Sequence, residues 1–355
     1  MTTLHYGIIG CGVIGAVHAH AISLLPDARL VGVCDIMPER AADVAQQFGA
    51  TYTTTDFHQL LARPDIDAIC VCTPHYLHAE MSIAAAQAGK HVLCEKPMAL
   101  DPRDMDAMIA AADQAGTQLG ICFQHRFDPV MVQLKRIIED GKFGQLLLGG
   151  AHIRCLRDDA YYNSADWRGT WAYEGGGVLI NQAIHFIDLM LWLLGDATAV
   201  SGTYDTLRWG HCIEVEDTAS AILTFANGAQ GHIAATNASH MNWQTRLQVY
   251  GTEGSVEVNV GDPEDFTFLQ VVDGSCQLTV EEEETCEPAV GKACYGNSHS
   301  RVLESFTACL LEGRTFPITG REGRKATEAV LGVYRSARVN APVALPLGIE
   351  AAVKR

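Results

Sequence analysis

The residues best placed to do chemistry in this sequence are three polar side chains inside an otherwise apolar helix. Asn181, His185 and Asp188 follow the glycine run 175–177, and the residues around them from 178 to 194 are almost all hydrophobic. Spacings of four and seven residues place all three on one helix face. Burying an unpartnered polar group costs roughly 2–7 kcal/mol, so something polar must meet this face. We expect a substrate, with His185 as its acid/base; a core histidine satisfied by two local partners is the alternative.

A glycine turn lies between a strand and a helix near the N-terminus. Residues 4–9 are apolar, residues 10–15 read Gly-Cys-Gly-Val-Ile-Gly, and a helical pattern follows to about residue 25. A second strand-like run, 29–34, ends in Asp35. Strand, glycine turn, helix, strand and acid in this order are the fingerprint of dinucleotide binding. We predict that the cofactor is bound by Gly10, Gly12, Val13, Ile14, Gly15 and Asp35.

Each part of this fingerprint has a physical task. Gly10 permits the tight turn, Gly12 lets a pyrophosphate approach the backbone, and Gly15 lets the helix pack on the strand. The helix N-terminus presents N–H groups and a positive dipole end to the phosphates. Asp35 accepts hydrogen bonds from a free ribose 2′-hydroxyl and repels a 2′-phosphate, so NAD is expected and NADP is less favoured. Arg40, one turn into the next helix, is the side chain that could instead reach such a phosphate.

Two further apolar runs end in polar residues. Runs 67–72 and 91–94 are followed by Thr73-Pro74-His75 and by Glu95-Lys96-Pro97. Ligands of a doubly wound sheet lie at the carboxyl ends of its strands, and the proline after Lys96 holds that lysine rigidly there. A simple turn and a solvated lysine are the alternatives. We expect Lys96 to be functional, and we assign to the cofactor site Thr73, Pro74, His75, His78, Glu95, Lys96 and Gln124.

An aromatic loop precedes the glycine run. Residues 158–162 read Asp-Asp-Ala-Tyr-Tyr, and residues 166–171 read Asp-Trp-Arg-Gly-Thr-Trp. Aromatic faces pack on the C–H surfaces of sugars, while charged groups bind hydroxyls. We expect a wall for a polar, carbon-rich substrate; a loop that anchors itself by its tryptophans is the alternative. The predicted substrate-binding residues are Asn181, Tyr161, Tyr162, Trp167 and Arg168.

The chain has 355 residues, enough for two domains. Alternating strands and helices predict an α/β fold with a Rossmann dinucleotide-binding domain over residues 1–122. Residues 123–355 are predicted to form an α+β domain with a mostly antiparallel or mixed sheet, one face of which is covered. Its strand-like runs are 146–155, 197–207, 216–226, 229–237, 243–250, 255–260 and 266–280. Its helices are expected at 130–140, 178–194, 299–312 and 321–338, and an acidic loop at 281–293.

Composition narrows the partners. The net charge of −17 repels nucleic acid and anionic membranes, and the three polar residues in 178–194 argue against a membrane span. The N-terminus enters a strand without a secretory leader pattern, and the 12 cysteines fit a reducing compartment, so we expect a cytoplasmic protein. No metal site is expected, because the cysteines form no cluster: Cys70 and Cys72 alternate in a strand, and others are widely spaced, such as Cys276, Cys286 and Cys294.

Together, the glycine turn, Glu95-Lys96-Pro97, the pair Arg126-Phe127 and the helix of Asn181 and His185 resemble the Gfo/Idh/MocA oxidoreductases. That family is named after glucose–fructose oxidoreductase, inositol dehydrogenase and a rhizopine-catabolism protein. The resemblance covers nearly the whole chain, and it is specific for the family but weak for the substrate. It implies NAD-dependent hydride transfer at a secondary hydroxyl or ketone carbon of a sugar, glycoside, nucleotide sugar or inositol. It also implies that residues 123–355 form a domain built on a large open sheet and used for substrate binding and oligomerisation, in a homodimer or homotetramer.

The catalytic lysine of that family matches Lys96, and its catalytic histidine matches His185. The inositol dehydrogenase branch carries an aspartate four residues before that histidine; this chain has Asn181, which cannot take a proton. Asn-Gln at this point is more similar to the branch that acts on nucleotide sugars or glycosides. We expect Lys96 and His185 to converge beside C4 of the nicotinamide. Either His185 receives the hydroxyl proton near neutral pH or Lys96 is the base.

Two other functions stay open. Some proteins with this fold bind NAD(P) as sensors or regulators without turnover; these need the glycine turn but not Lys96 together with His185. An imine or biliverdin-type reductase on the same scaffold would not need a hydroxyl base at His185.

Overall fold

The computed structural model describes residues 3–240, 244–259, 266–274, 278 and 298–348. Two compact units emerge from them. The first contains the described residues up to Gln124 and those from 298 to Arg324, and the second contains His125 to 278 and Lys325 to 348.

A parallel sheet of six strands forms the first unit. Its elements are, in chain order, β1 (Leu4–Ile9), α1 (Val13–Ser23), β2 (Ala28–Cys34), α2 (Pro38–Phe48), β3 (Tyr52–Thr54), α3 (Phe57–Leu61), β4 (Ala68–Val71), α4 (His78–Gln87), β5 (His91–Glu95), α5 (Pro102–Ala115) and β6 (Leu119–Cys122). The strand order is β3-β2-β1-β4-β5-β6 and every pairing is parallel. This is the Rossmann order, so the predicted α/β fold class is confirmed.

Burial explains why these strands were visible in the sequence. Every residue of β4 is buried, as are the last four of β1, and parallel strands covered on both faces are continuous apolar runs. The predicted cofactor residues come where three strands end: Gly10 follows β1, Thr73 lies two residues beyond β4, and Lys96 follows β5. The carboxyl edge of the sheet therefore carries the predicted cofactor residues.

A mixed sheet of eight strands forms the second unit. The elements from residue 125 onward are α6 (Pro129–Glu139), β7 (Leu146–Arg154), α7 (Asp159–Tyr162), α8 (Ile184–Leu194), β8 (Ala197–Asp205), β9 (Thr218–Phe225), β10 (Gln230–Thr236), β11 (Gln244–Gly251), β12 (Gly254–Val258), β13 (Phe266–Val271), α9 (Ser298–Glu312), α10 (Gly320–Val339) and β14 (Val343–Ala344). The strand order is β13-β12-β11-β7-β10-β9-β8-β14, with β7 and β10 parallel and the other pairs antiparallel. The predicted mixed sheet is confirmed.

Helix α8 covers one face of this sheet, as its apolar sequence predicted. Gly149 on β7 makes room for it, because a Cβ there would lie 2.8 Å from a methyl group of Leu194. Along β9, buried and exposed residues alternate, which is the pattern of a sheet with one covered face. Among the described residues, no helix combines the length and apolar character needed to span a membrane.

Helix α9 belongs to the first unit, whereas the predicted division placed it in the second. It packs against α1, and the hydroxyl groups of Thr307 and Tyr6 are hydrogen-bonded at 2.7 Å in the interior. Phe306 packs edge-on against Phe316, beside β6. The contacts that decide its place are with residues about 300 positions earlier, which no local pattern shows.

Other expectations fall outside the described residues or were missed. The predicted strand 266–280 is seen as β13, but most of its second half, the acidic loop 281–293, and Cys276, Cys286 and Cys294 lie outside the described part of the chain. Strands β3 and β14 were not predicted, since three and two residues are too short to show a period.

Candidate active site

The glycine turn has the geometry that its sequence predicted. Gly10 has φ +96°, and a Cβ there would lie 2.6 Å from the carbonyl oxygen of Cys72. A Cβ on Gly15 would collide with the carbonyl oxygen of Gly10, whereas one on Gly12 would meet nothing within 4 Å. Only glycine therefore suits the first and last positions. The open space at Gly12 is the approach that a pyrophosphate needs.

Asp35, the acid predicted to bind the ribose, holds the glycine turn. Its Oδ2 accepts a hydrogen bond from the backbone N–H of Cys11 at 2.7 Å, and its Oδ1 accepts one from that of Met37 at 2.9 Å. The next two side chains, Ile36 and Met37, are exposed and apolar. Neither brings a positive charge to the carboxylate.

His78 joins the ends of two strands. Its Nδ1 lies 2.7 Å from the carbonyl oxygen of Pro97, and its Nε2 lies 2.9 Å from that of Thr73. The ring is fully buried, and burial lowers the pKa of His78. Within the described residues, Thr73 Oγ1 and Gln124 Oε1 are buried and receive no hydrogen bond. They are polar atoms of the first unit that a cofactor can satisfy.

Glu95, predicted for the cofactor, turns its side chain into the protein. It is 4% exposed and accepts hydrogen bonds from His18 Nε2 at 2.8 Å and from the backbone N–H of Lys96 at 3.2 Å. Burial alone would raise the pKa of Glu95, but hydrogen bonds from His18 and His299 hold it well below its usual value. The buried anion thus fixes the backbone at Lys96. The side chains of His18, Glu95, Cys122 and His299 place potential metal-binding atoms within 4.8 Å of one another. The sequence did not show this cluster, because the four residues are far apart along the chain.

In the second unit, the glycine run 175–177 allows the backbone at Glu216 to approach closely. A Cβ on Gly177 would collide with the carbonyl oxygen of Glu216. The Glu216 carboxylate accepts hydrogen bonds from the N–H groups of Gly177 at 2.8 Å and Leu179 at 2.9 Å, and from the Tyr334 hydroxyl at 2.8 Å. Glu216 is fully buried, and this burial raises its pKa to about 7. A single carboxylate therefore organises the start of the helix that carries Asn181 and His185.

We expect Glu216 to make stability fall as the pH rises. Its folded-state pKa of about 7 lies above the ordinary value of 4.5, so the folded protein holds a proton that the unfolded chain releases. The stabilisation is complete below 4.5 and is lost as the pH passes 7, a change of about 3 kcal/mol from this group. Urea unfolding at pH 5 and pH 8 measures the free energy of unfolding. Relative to the unaltered protein, Glu216→Gln should be more stable at pH 8 than it is at pH 5. Glu253→Gln, at an exposed position, is the control, and parallel pH profiles for all three proteins would contradict the prediction.

Asp188 has a structural partner. Arg126, on the 3₁₀ turn Gln124–Phe127, donates from Nε to Asp188 Oδ2 at 2.7 Å and from Nη2 to Oδ1 at 2.6 Å. Both side chains are buried. The two hydrogen bonds from the Arg126 guanidinium satisfy both oxygens of Asp188. The presence of this buried carboxylate is therefore explained without a ligand.

His185 has a histidine neighbour that the sequence analysis missed. The rings of His185 and His125 are 5.3 Å apart between centroids and nearly perpendicular. His125 Nδ1 lies 2.7 Å from Asp128 Oδ2, so the carboxylate orients this ring. The His-x-x-Asp spacing at 125–128 was the available signal.

Four of the predicted substrate residues come together in the second unit. The amide of Asn181 donates from Nδ2 to the Tyr161 hydroxyl oxygen at 3.0 Å, and Arg168 donates from Nη1 to the same oxygen at 2.6 Å. The Arg168 guanidinium also lies 4.3 Å from the Tyr161 ring centroid and 4.6 Å from that of Trp167. Asn181 itself lies in a π-helical turn, Leu179–Ala183, a local widening that is frequent at functional sites.

The other two aromatics of the loop have structural roles. Tyr162 was predicted to contact substrate, but its ring is 5% exposed in a hydrophobic cluster with Trp209, Ile213 and Val215. Its hydroxyl oxygen accepts a hydrogen bond from Asn237 Nδ2 at 2.7 Å, so the structure corrects that assignment. Trp171 donates from Nε1 to the carbonyl oxygen of Glu214, which is the anchoring role considered as the alternative.

Two family models match the chain. The model of the oxidoreductase family with an NAD-binding Rossmann fold matches residues 4–123, and that of the GFO/IDH/MocA C-terminal domain matches residues 131–257. The chain belongs to the Gfo/Idh/MocA family. The predicted resemblance and the predicted NAD cofactor are thereby confirmed. Gly12 and the unsatisfied oxygens of Thr73 and Gln124 fit such a cofactor.

Several members of the Gfo/Idh/MocA family are similar over most of the chain. The levoglucosan dehydrogenase of Pseudarthrobacter phenanthrenivorans is 32% identical over 73% of this chain and 74% of its own. The inositol 2-dehydrogenase of Rhizobium meliloti is 28% identical, with coverage of 94% and 97%. The structure of the WlbA dehydrogenase from Bordetella pertussis in complex with NADH and UDP-GlcNAcA has a TM-score of 0.85 and 31% identity, covering 98% of this chain and 100% of that one. This Gfo/Idh/MocA protein is an NAD-dependent dehydrogenase that acts on CH–OH groups.

We expect Asp35→Asn to narrow the preference for NAD⁺ over NADP⁺. The change removes the charge that repels a 2′-phosphate and keeps the shape of the side chain, and its single oxygen can accept from only one of the N–H groups of Cys11 and Met37. Without this partly screened repulsion, the ratio of the Kd for NADP⁺ to the Kd for NAD⁺ should fall about tenfold. Calorimetric titration with both dinucleotides measures the ratio, and tighter binding of NADP⁺ by the unaltered protein would overturn this role of Asp35.

Proposed function

We propose that this chain oxidises a secondary hydroxyl group of a sugar, glycoside, nucleotide sugar or inositol, with Lys96 and His185 as its catalytic residues. The observation that carries the proposal is the place of Lys96, directly after β5 at the carboxyl edge of the parallel sheet, where this fold binds its ligands. The relatives support the substrate class, because their names include levoglucosan and inositol dehydrogenases.

His185 is proposed to transfer the proton, and Lys96 is proposed to stabilise the developing charge. Bound NAD⁺ supplies the acceptor for the hydride. The reacting hydroxyl must lose its proton, and the imidazole of His185 is suited to receive it. The Lys96 ammonium donates a hydrogen bond to the same oxygen and stabilises the negative charge that develops there.

The group of Asn181, Tyr161, Trp167 and Arg168 is proposed to hold the substrate. Its aromatic surface suits the C–H face of a sugar ring, and its amide and guanidinium suit hydroxyl groups. Since the Arg168 guanidinium already lies over both Tyr161 and Trp167, this surface is organised before any ligand arrives.

A substrate screen tests the proposal. The protein is incubated with NAD⁺ and, one at a time, levoglucosan, myo-inositol, free aldoses, methyl glycosides and UDP-GlcNAcA, and NADH formation is followed by absorbance. We expect at least one of these compounds to be oxidised. NAD⁺ binding without NADH formation from any of them would favour the sensor, and NADH-dependent reduction of imines alone would favour the reductase.

We also propose that the first unit serves the cofactor, that the second unit serves substrate and assembly, and that the protein is a cytoplasmic homodimer or homotetramer. The sheet face opposite α8 supports an assembly role, because Ile222 is 58% exposed there next to the pair His152 and His232, whose Nε2 atoms are 2.7 Å apart. Light scattering after size-exclusion chromatography measures the mass; a monomer would contradict the proposal.

A further inference from the structure

A buried carboxylate lies behind the predicted substrate residues. Glu174 directly precedes the glycine run and is 1% exposed. Its Oε2 accepts a hydrogen bond from the backbone N–H of Gly169 at 2.5 Å, and its Oε1 accepts one from Nδ2 of Asn181. Because burying a charge is costly without partners, these hydrogen bonds hold Glu174 and Asn181 together.

This contact determines which way the Asn181 amide faces. A carboxylate can only accept, so the NH₂ group of Asn181 must point toward Glu174. The second amide hydrogen is directed to the Tyr161 hydroxyl oxygen, 3.0 Å from Nδ2. Both amide hydrogens are therefore used inside the protein. A ligand can hydrogen-bond to the Asn181 side chain only through Oδ1, which is an acceptor.

We propose that Glu174 is a positioning residue that makes Asn181 a hydrogen-bond acceptor toward the substrate, so that the enzyme selects a hydroxyl hydrogen at that point of the sugar. The inference rests on the proposed function and deepens it. A sugar with hydrogen, fluorine or an O-methyl group in place of that hydroxyl should be used poorly. A site built to bond a hydroxyl discriminates strongly against analogues that lack it.

A residue exchange tests the contact. Asn181→Asp alone places a second carboxylate against Glu174, and the like charges repel. Adding Glu174→Gln restores an amide–carboxylate hydrogen bond with donor and acceptor exchanged, and it keeps an acceptor at position 181 for the substrate. Asn181→Asp combined with Glu253→Gln, at an exposed position, makes the same change of charge away from the contact and is the matched control.

The Tm of thermal unfolding tests the contact between Asn181 and Glu174 without a substrate. We expect Asn181→Asp to lower Tm by about 5 °C, the effect of about 2 kcal/mol in a domain of this size. Glu174→Gln should restore most of this loss and Glu253→Gln none. Both amide hydrogens of Asn181 should also exchange slowly with solvent in nuclear magnetic resonance spectra of the unaltered protein. Failure of the exchange pair to restore Tm, or rapid exchange of either hydrogen, would overturn the proposal whether or not a substrate is known.

Measurements of kcat and KM test whether Asn181 accepts a hydrogen bond from the substrate. The substrate is whichever of levoglucosan, myo-inositol and UDP-GlcNAcA gives the highest rate. The exchanged protein should recover kcat/KM relative to Asn181→Asp alone, whereas Glu174→Ala should mainly raise KM, as expected for lost substrate binding. Loss of all turnover in the exchanged protein despite a restored Tm, or equal use of parent and fluoro-substituted compounds, would show that Asn181 donates. Absence of turnover in the unaltered protein would defeat the proposed function alone, because Tm and hydrogen exchange still decide on Glu174.

Discussion

Lys96→Met should reduce kcat by about 10²–10⁴-fold, the usual worth of a positioned acid/base group, and leave the affinity for NAD⁺ largely intact. Methionine keeps the length and apolar stem of lysine but cannot donate a hydrogen bond. The backbone at residue 96 should stay in place, because its N–H is held by the Glu95 carboxylate. The expected loss is therefore chemical and not a collapse of the strand end.

The companion variant is His185→Gln, which keeps a polar side chain but cannot take up a proton. Its kcat should fall by a similar factor, and the decline of kcat toward low pH should disappear if His185 is the base. If that decline disappears in Lys96→Met instead, Lys96 is the base. Stopped-flow kinetics over pH and titration with NAD⁺ provide the measurements, with Lys142→Met at the protein surface as control. Near-normal kcat in both variants would remove the proposed mechanism and favour a sensor.

The largest effect on stability is expected from Asp188→Ala. It leaves the Arg126 guanidinium buried, 6% exposed, without its carboxylate, and an uncompensated buried charge costs about 3–5 kcal/mol. Replacing both partners, Asp188→Leu with Arg126→Met, should be less damaging than Asp188→Ala, because no charge is then left in the interior. Urea unfolding gives the free energies.

A surface pair provides the matched control. Lys142 and Asp273 lie 3.2 Å apart and are partly exposed, so Asp273→Ala should change the unfolding free energy by less than about 1 kcal/mol. A loss below 1 kcal/mol for Asp188→Ala as well would show that the Arg126 pair is not buried as described.

Features carried by neighbouring residues were predictable, and those made by distant ones were not. The turn at Gly10, Gly12 and Gly15 and the strands before and after it lie within one local pattern, since periodicity and glycine conformation are properties of short segments. Glu216 and Tyr334 meet the glycine run from 39 and 157 positions after Gly177, which can be counted in the sequence but not anticipated from it. The same holds for α9 beside α1.

The polar residues of the π-helical turn and α8 show how a correct pattern can lead to an incomplete prediction. Its spacing predicted one polar partner for Asn181, His185 and Asp188. The structure gives each a different neighbour: Glu174 and Tyr161 for the first, the His125 ring for the second, and Arg126 for the third. Helical spacing fixes a direction for side chains, but the identity of what they meet depends on the rest of the fold.

The π-helical turn at Leu179–Ala183 has a consequence for how this family can diversify. Such a turn contains one residue more than an α-helix needs, so deletion of a single residue can restore the ordinary winding without breaking the helix. Because the wider turn absorbs that extra residue, its deletion would keep the segments before and after the turn at nearly the same rotation about the helix axis and would change the directions of side chains within the turn, Asn181 included. Chain length, independently of side-chain identity, is thus a means of redirecting Asn181 relative to His185.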